Sequence, residues 1–201
     1  SIRRQRQMCI RDRVSKKIAQ ALAGSSVIRA MFNEGKEMAA RYGAENVYDF
    51  SLGNPATPAP ESVNRTIKEI VNEMDPLELH GYMSNSGYED VRRAMAENLN
   101  RRFQTSFDAH NIIMTVGAAG GLNIIFKTLL DPEDEVIVFA PYFGEYKSYA
   151  ANFDAKIVEV EPDFASFQPD LEKFAGKITA KTKIVLVNTP NNPTGVVYTE
   201  E

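Results

Sequence analysis

Hydrophobic residues from position 111 onward alternate between two spacings. Short runs of consecutive Ile, Val, Leu and Phe are typical of strands buried on both faces, and the segments between them carry apolar residues every three or four positions, as helices do. We predict strands at Ile112–Val116, Glu135–Phe139, Lys156–Val160 and Lys183–Val187. Helices are predicted at Ala118–Leu130, Tyr142–Asn152 and Leu171–Lys177. This order predicts an α/β fold with three layers and a mostly parallel sheet.

The earlier part of the chain is mainly helical in pattern. Apolar residues recur at helical spacing over residues 15–42, after Pro60, and over about Tyr88–Phe103. A short strand is predicted at Val47–Leu52. Three prolines and a glycine within residues 53–60 exclude regular structure there, since proline lacks the backbone N–H that helices and sheets use.

Composition narrows the class of protein. The 201 residues are 43% hydrophobic and 25% charged, which is ordinary for a globular chain. A net charge of −4 gives no general attraction for nucleic acid or an anionic membrane surface. The single cysteine excludes a disulfide framework and a cysteine-based zinc site, and fits a reducing compartment. We therefore expect a soluble cytoplasmic protein without a metal, nucleic-acid or membrane partner.

The two ends of the chain differ from the rest. The first thirteen residues hold five arginines and the only cysteine without any periodicity. They fit a solvated basic arm or a nucleic-acid-binding arm, but they resemble translated sequencing-adaptor sequence more closely, so we expect a native start near Val14. At the other end, Thr199 followed by two glutamates has the composition of a helix N-terminus. We therefore expect the chain to be a fragment.

A loop of small residues, Thr115–Gly121, joins a predicted strand to a predicted helix. Its glycines and alanines allow close approach of an anion to the unpaired N–H groups of the helix N-terminus. The same residues also suit tight packing of helix on sheet, and the loop alone does not separate these interpretations. It matches neither the dinucleotide-binding glycine pattern nor a P-loop.

Four further segments, taken together, decide between these two interpretations of the loop. They are Asn191-Asn192-Pro193-Thr194-Gly195, Tyr82 with Gly87 and Asp90-Val91-Arg92, Ala140-Pro141-Tyr142-Phe143, and Ser51-Leu52-Gly53-Asn54-Pro55. With the small-residue loop they resemble the class I/II aminotransferases, pyridoxal-phosphate (PLP) enzymes of the aspartate-aminotransferase-like fold. The resemblance runs in the expected order from about Val14 to Glu201.

The resemblance implies a domain organisation. Residues 1–13 would be a non-native head, and residues 14–50 would be an N-terminal helical segment of the small domain. Residues 51–201 would form the PLP-binding large domain, a three-layer α/β/α unit that is incomplete at its C-terminal end.

The resemblance also assigns cofactor contacts. The backbone N–H groups of Ala118 and Ala119 would hold the phosphate, and Phe143 would stack on the pyridine ring, with Tyr142 in that role if the register differs by one. Asn192 would hydrogen-bond the 3′ oxygen and contribute to the substrate site. The family pattern further implies cis peptide bonds at Asn192–Pro193 and Ala140–Pro141.

Two more residues are assigned by the same resemblance. Tyr82 would reach across a homodimer to the partner's PLP phosphate, against the alternative that it packs locally. Gly53 would approach the carboxylate of the substrate, against the alternative of a simple turn. The histidines at 80 and 110 show no spacing for a metal site or a catalytic triad, so we expect both at the surface.

The implied activity is transfer of an amino group from an amino acid to a 2-oxo acid. In the family the Schiff-base lysine lies after the Asn-Asn-Pro-Thr-Gly motif, and so do the carboxylate for the pyridine nitrogen and the substrate-clamping arginine. We therefore expect no catalytic residue in this chain and no activity from the chain alone. A PLP-dependent carbon–sulfur lyase of the same fold, the effector domain of a transcriptional regulator, and a non-catalytic PLP-binding or nucleotide-binding module stay open as alternatives.

Overall fold

The computed structural model describes residues 14–23, 27–48 and 57–199. The chain divides into two compact units with the boundary between Gly81 and Tyr82. The family-based division near residue 50 stays a prediction. The predicted head at 1–13 and the candidate Gly53 lie outside the described residues, as does most of the predicted strand from Val47.

The first unit is helical. Its helices are α1 (Lys16–Ala23), α2 (Val27–Tyr42), α3 (Glu61–Glu73) and α4 (Pro76–Leu79), with a 3₁₀ turn at Ala44–Asn46. The short α4 follows shortly after α3. Its N-terminus is capped by the Asp75 carboxylate, which accepts hydrogen bonds from the N–H groups of Leu77 and Glu78 at 2.8 and 3.2 Å. Pro76 occupies the first helical position, where no N–H is needed.

The second unit opens with helix α5 (Glu89–Phe103), one residue later than the predicted start. Its charges suit the helix dipole, since acids lie in the first turn and arginines in the last. Gln104 then ends the helix in the left-handed conformation, at φ 54°.

The remaining elements alternate helix and strand, as the sequence predicts. They are α6 (Gly117–Leu129), β1 (Glu135–Phe139), α7 (Glu145–Ala151), β2 (Lys156–Val160), α8 (Leu171–Lys177) and β3 (Thr182–Leu186). The strands form one parallel sheet in the order β2–β1–β3. Val138 at the centre lies opposite Glu159 on one side and Leu186 on the other.

Side chains from β1 enter two separate cores because successive residues point to opposite faces. On one face Val136 and Val138 pack with Phe126 of α6 and Tyr146 of α7. The opposite face holds Ile137, Phe139 and Val160, with Phe174 of α8 packed against them. Helices therefore cover both faces of the sheet, and the predicted three-layer α/β/α arrangement is confirmed.

Two sequence-based strand predictions need correction. Residues 112–116 are extended but belong to no strand among those described; within the described chain, the one ladder-like hydrogen bond of this segment joins Met114 N–H to Ser86 O at 3.0 Å. A strand forms only where a neighbouring strand pairs with its backbone hydrogen-bonding groups, and a hydrophobic sequence does not guarantee such a neighbour. β3 is buried on a single face: Ile184 and Leu186 pack on the core, whereas Val185 is 43% exposed.

In the part of the chain that the structure describes, no helix has the length and apolar character needed to cross a bilayer. The same residues contain no group of three or more histidine, cysteine, aspartate or glutamate side chains arranged to hold a metal ion.

Candidate functional site

The first turn of α6 presents backbone donors that nothing in the described chain caps. Val116 precedes the helix and makes no side-chain cap, and the N–H of Gly117 is already bonded to Thr115 O at 3.0 Å. The next two residues, Ala118 and Ala119, are exposed, and no acceptor in the described chain is paired with their N–H groups. Gly117 has φ +66°, and a Cβ placed on it would meet no atom within 4 Å. The space beside Gly117 is therefore open, and the N–H groups of Ala118 and Ala119 have no partner among the described residues.

The turn lies at the carboxyl edge of the sheet. α6 packs on the sheet through Phe126 and Leu130, and β1 begins five residues after Leu130. A helix that packs on the strand following it in the chain runs antiparallel to that strand. The N-terminus of α6 therefore lies near the carboxyl end of β1. That edge is where α/β sheets bind ligands.

Phe143 follows β1 at this edge, after the cis peptide bond at Ala140–Pro141. The ring is partly buried and meets Tyr146 edge-on, with 5.7 Å between ring centroids. Neighbouring Tyr142 is engaged elsewhere, since its hydroxyl donates to Glu159 Oε1 at 2.7 Å. Tyr142 therefore points toward β2, and Phe143 is the better candidate for stacking on a cofactor.

Two charged side chains, Lys147 and Glu159, hold Tyr142 at the β2 side. Lys147 Nζ lies 2.9 Å from Glu159 Oε1 and 5.6 Å from the centroid of the Tyr142 ring. Hydrogen bonds from Lys147 and Tyr142 lower the pKa of Glu159. The bond to Glu159 raises the pKa of Lys147, and burial followed by the bond to Glu159 raises the pKa of Tyr142.

The lowered pKa of Glu159 predicts a pH-dependent contribution to stability. A carboxyl whose pKa is lower in the folded chain stabilises the fold above its ordinary value of 4.5, and that contribution is lost as the pH falls through the folded value. Because Glu159 is half exposed, we expect an effect below about 1 kcal/mol. Urea unfolding should show Glu159→Gln less stable than the unsubstituted chain at pH 7, with the gap closing toward pH 3.

The control for that measurement is Glu97→Gln on the exposed surface of α5, since Glu97 forms no ion pair within the described chain. It should change stability equally at both pH values. A Glu159→Gln gap that is the same at pH 7 and pH 3 would contradict the assigned role of Glu159.

Asn192 lies in the turn after β3, preceded by the cis Thr189–Pro190 bond and followed by the cis Asn192–Pro193 bond. Its N–H donates to Asn188 Oδ1 at 2.9 Å. The side-chain amide is exposed and has no hydrogen-bond partner among the described residues. It is thus available to a ligand at the edge where Phe143 also lies.

Asn191 supports this turn and is buried, with 6% of its surface exposed. Its Oδ1 accepts from the N–H and the hydroxyl of Thr194 at 3.2 and 2.8 Å. Asn191 is therefore a turn-forming residue.

Tyr82 is fully exposed, and its hydroxyl has no hydrogen bond within the described chain. Tyr82 therefore makes no close packing contact within the described chain, and its role in the partner's site stays a prediction. The following turn closes through Gly87 N–H to Ser84 O at 2.9 Å and through the Ser84 hydroxyl to Gly87 O at 2.5 Å. The loop is ordered, and it holds Tyr82 away from its own unit.

Arg92 is a positioning residue that the sequence motif contains but does not explain. Its guanidinium is nine-tenths buried, donating from Nε to Gly87 O at 3.2 Å and from an Nη to Ala109 O. It thus ties the loop that carries Tyr82 to the segment that leads toward α6. The planar fork of donors explains why arginine suits this position.

The structure brings some of the predicted site residues together and leaves others apart. The first turn of α6, Phe143 and Asn192 share the carboxyl edge of the sheet, whereas Tyr82 projects from a separate loop. Both histidines are exposed, as expected. Asn188 holds the turn but was not predicted from the sequence, where its one signal is its position four residues before Asn192.

Comparison with known proteins identifies the family of this chain. The sequence model described as aminotransferase class I and II matches residues 45–201. The chain belongs to this family. An aspartate aminotransferase of Thermotoga maritima is 33% identical over 185 residues, which are 92% of this chain and 48% of that protein.

Solved aminotransferase structures agree in fold. An amino transferase from Eubacterium rectale is 47% identical, with a TM-score of 0.89, over 94% of this chain and 48% of that one. An aspartate aminotransferase from Thermus thermophilus, solved with maleate, is 30% identical, with a TM-score of 0.80, over 93% of this chain and 47% of that one. The chain spans about half the length of the aminotransferases that it matches.

Proposed function

We propose that this chain is the cofactor-binding part of a PLP-dependent aminotransferase, which moves an amino group between an amino acid and a 2-oxo acid. The observation that carries the proposal is the uncapped first turn of α6 within the family match. Two of its backbone donors have no partner in the described chain, at the sheet edge that also holds Phe143 and the unpaired Asn192 amide. The comparisons bring no support for a lyase or a regulator.

The residues present fit PLP. A phosphate dianion suits a helix N-terminus that has free N–H groups and a partial positive charge. A partly buried aromatic ring and an exposed amide at the same edge suit a flat pyridine ring that bears a 3′ oxygen. When bound, PLP supplies the electron sink that lets a bond at the substrate's α-carbon break.

The chain's own residues then have separate tasks. The N–H groups of Ala118 and Ala119 hold the phosphate and so anchor one end of the ring. Phe143 sets the plane of the ring, and Asn192 donates its amide N–H to the 3′ oxygen. Gly53 stays a prediction for the substrate carboxylate.

Aspartate is the amino acid that we propose to test first. The Thermotoga relative is an aspartate aminotransferase, and the Thermus enzyme was solved with maleate, a dicarboxylate. We further propose that the protein works as a homodimer in the cytoplasm. In that dimer the exposed Tyr82 would reach the phosphate bound by the partner subunit.

The test of the proposal is binding of PLP to the purified chain, compared with pyridoxal, which lacks the phosphate. We expect PLP to bind at least about tenfold more tightly, because one or more charge-assisted bonds to the α6 N–H groups are lost with pyridoxal. Equilibrium dialysis of both ligands measures the ratio. Equal affinities would overturn the proposed phosphate site.

A second variant tests the amide. Asn192→Ala should weaken PLP binding about two- to tenfold, the range for one lost hydrogen bond. Asn72→Ala on the exposed surface of α3 is the matched control and should leave the affinity unchanged. If both variants bind PLP equally well, Asn192 does not contact the cofactor.

A further inference from the structure

The loop that presents Asn192 is held by two other asparagines. Asn188 accepts the N–H of Asn192 at 2.9 Å. Asn191 accepts from Thr194 through its side chain and from Gly195 N–H through its carbonyl, at 2.7 Å for the latter. These bonds fix the backbone on both sides of Asn192 and leave its side chain as the free group of the turn.

Tyr198 connects this turn to the body of the unit. Asn191 Nδ2 donates to the Tyr198 hydroxyl oxygen at 3.2 Å, and Tyr198 N–H donates to Thr189 Oγ1 at 2.9 Å. Tyr198 is therefore bonded to the beginning of the loop through its backbone and to the centre of the loop through its side chain. A single residue closes the loop upon itself.

The ring of Tyr198 also meets the end of β1. It lies edge-on to Phe139, with 6.3 Å between ring centroids and an interplanar angle of 73°. Phe139 is 8% exposed and is the last residue of β1, four positions before Phe143. Tyr198 thus contacts both segments that lead to the candidate ring and amide contacts.

We propose that Tyr198 is a positioning residue that holds the Asn192 amide, through Asn191, in register with the segment bearing Phe143. This inference rests on the proposed function, because it concerns how the same cofactor is held. Tyr198 touches no substrate or cofactor itself. Burial raises the pKa of Tyr198, although the bond from Asn191 opposes that shift, so the hydroxyl stays neutral and accepts from Asn191 at physiological pH.

Tyr198→Phe tests the inference, since it removes the hydroxyl and keeps the ring on Phe139. We expect hydrogen exchange at the N–H groups of Asn192 and Thr194 to speed up about two- to tenfold, in line with one lost hydrogen bond. The matched control is Tyr149→Phe, whose hydroxyl has no hydrogen bond in the described chain. Exchange that is unchanged in Tyr198→Phe would overturn the inference whether or not PLP binds.

A double-mutant cycle separates positioning from general stability. Tyr198→Phe should weaken PLP binding by itself but add nothing when Asn192 is already alanine, because its effect passes through the Asn192 amide. Additive losses would overturn the inference while leaving the proposed function intact. An unsubstituted chain that binds PLP and pyridoxal equally would instead overturn the proposed function, and the exchange rates would still decide whether Tyr198 holds the turn.

Discussion

Replacement of Ala118 by aspartate is expected to weaken PLP binding on the order of a hundredfold while the fold is kept. A carboxylate about 5 Å from the phosphate would oppose it by roughly 3 kcal/mol at the effective dielectric of a protein surface. The same carboxylate stabilises a helix first turn by about 0.3–1 kcal/mol, and α6 has no acid there. The PLP affinity measured by equilibrium dialysis should therefore fall, whereas the free energy of unfolding in urea should rise.

Ala118→Asn is the matched control because it has nearly the same shape without the charge. It should bind PLP within a few-fold of the unsubstituted chain. If the asparagine and aspartate variants bind PLP equally well, the phosphate does not lie at the first turn of α6. Ala118 is exposed, so neither side chain displaces a packed neighbour.

Gly87→Ala is expected to destabilise the second unit by about 2–6 kcal/mol. The residue has φ +96°, and a Cβ there would lie 2.6 Å from Met114 Cγ and 2.9 Å from Met114 Cβ. Left-handed backbone and overpacking cost about 1–3 kcal/mol each. The free energy of unfolding in urea measures the loss.

Gly176→Ala is the same chemical change with the opposite expected sign. Gly176 lies inside α8, has no left-handed φ, and a Cβ there would meet no atom within 4 Å. Alanine should stabilise the helix by about 0.5–1 kcal/mol. Equal effects of the two substitutions would show that the turn at Gly87 is not strained.

The sequence was a good guide where one physical effect dominates. β1 is a continuous apolar run because both of its faces are buried, and its bounds agree with the prediction. α7 begins at Glu145 instead of Tyr142, because Tyr142 and Phe143 turn aside to Glu159 and Tyr146. Such tertiary contacts override helical spacing and leave no local signal.

The candidate site divides in the same way. The motifs predict Phe143 and Asn192 as cofactor contacts, because chemistry restricts which residue types serve a cofactor. The residues that hold them were not predicted: Asn188 acts on a backbone N–H, and Tyr198 acts through a partner seven positions away. Side-chain-to-backbone bonds leave no periodicity in a sequence.

The buried guanidinium of Arg92 makes one mechanical unit of two segments that are far apart in the sequence. It joins Gly87, at the end of the loop that carries Tyr82, to Ala109, which lies eight residues before the start of α6. A shift of one carbonyl is passed to the other through a rigid planar group. Displacement of the Tyr82 loop would therefore also displace the segment that leads into the first turn of α6.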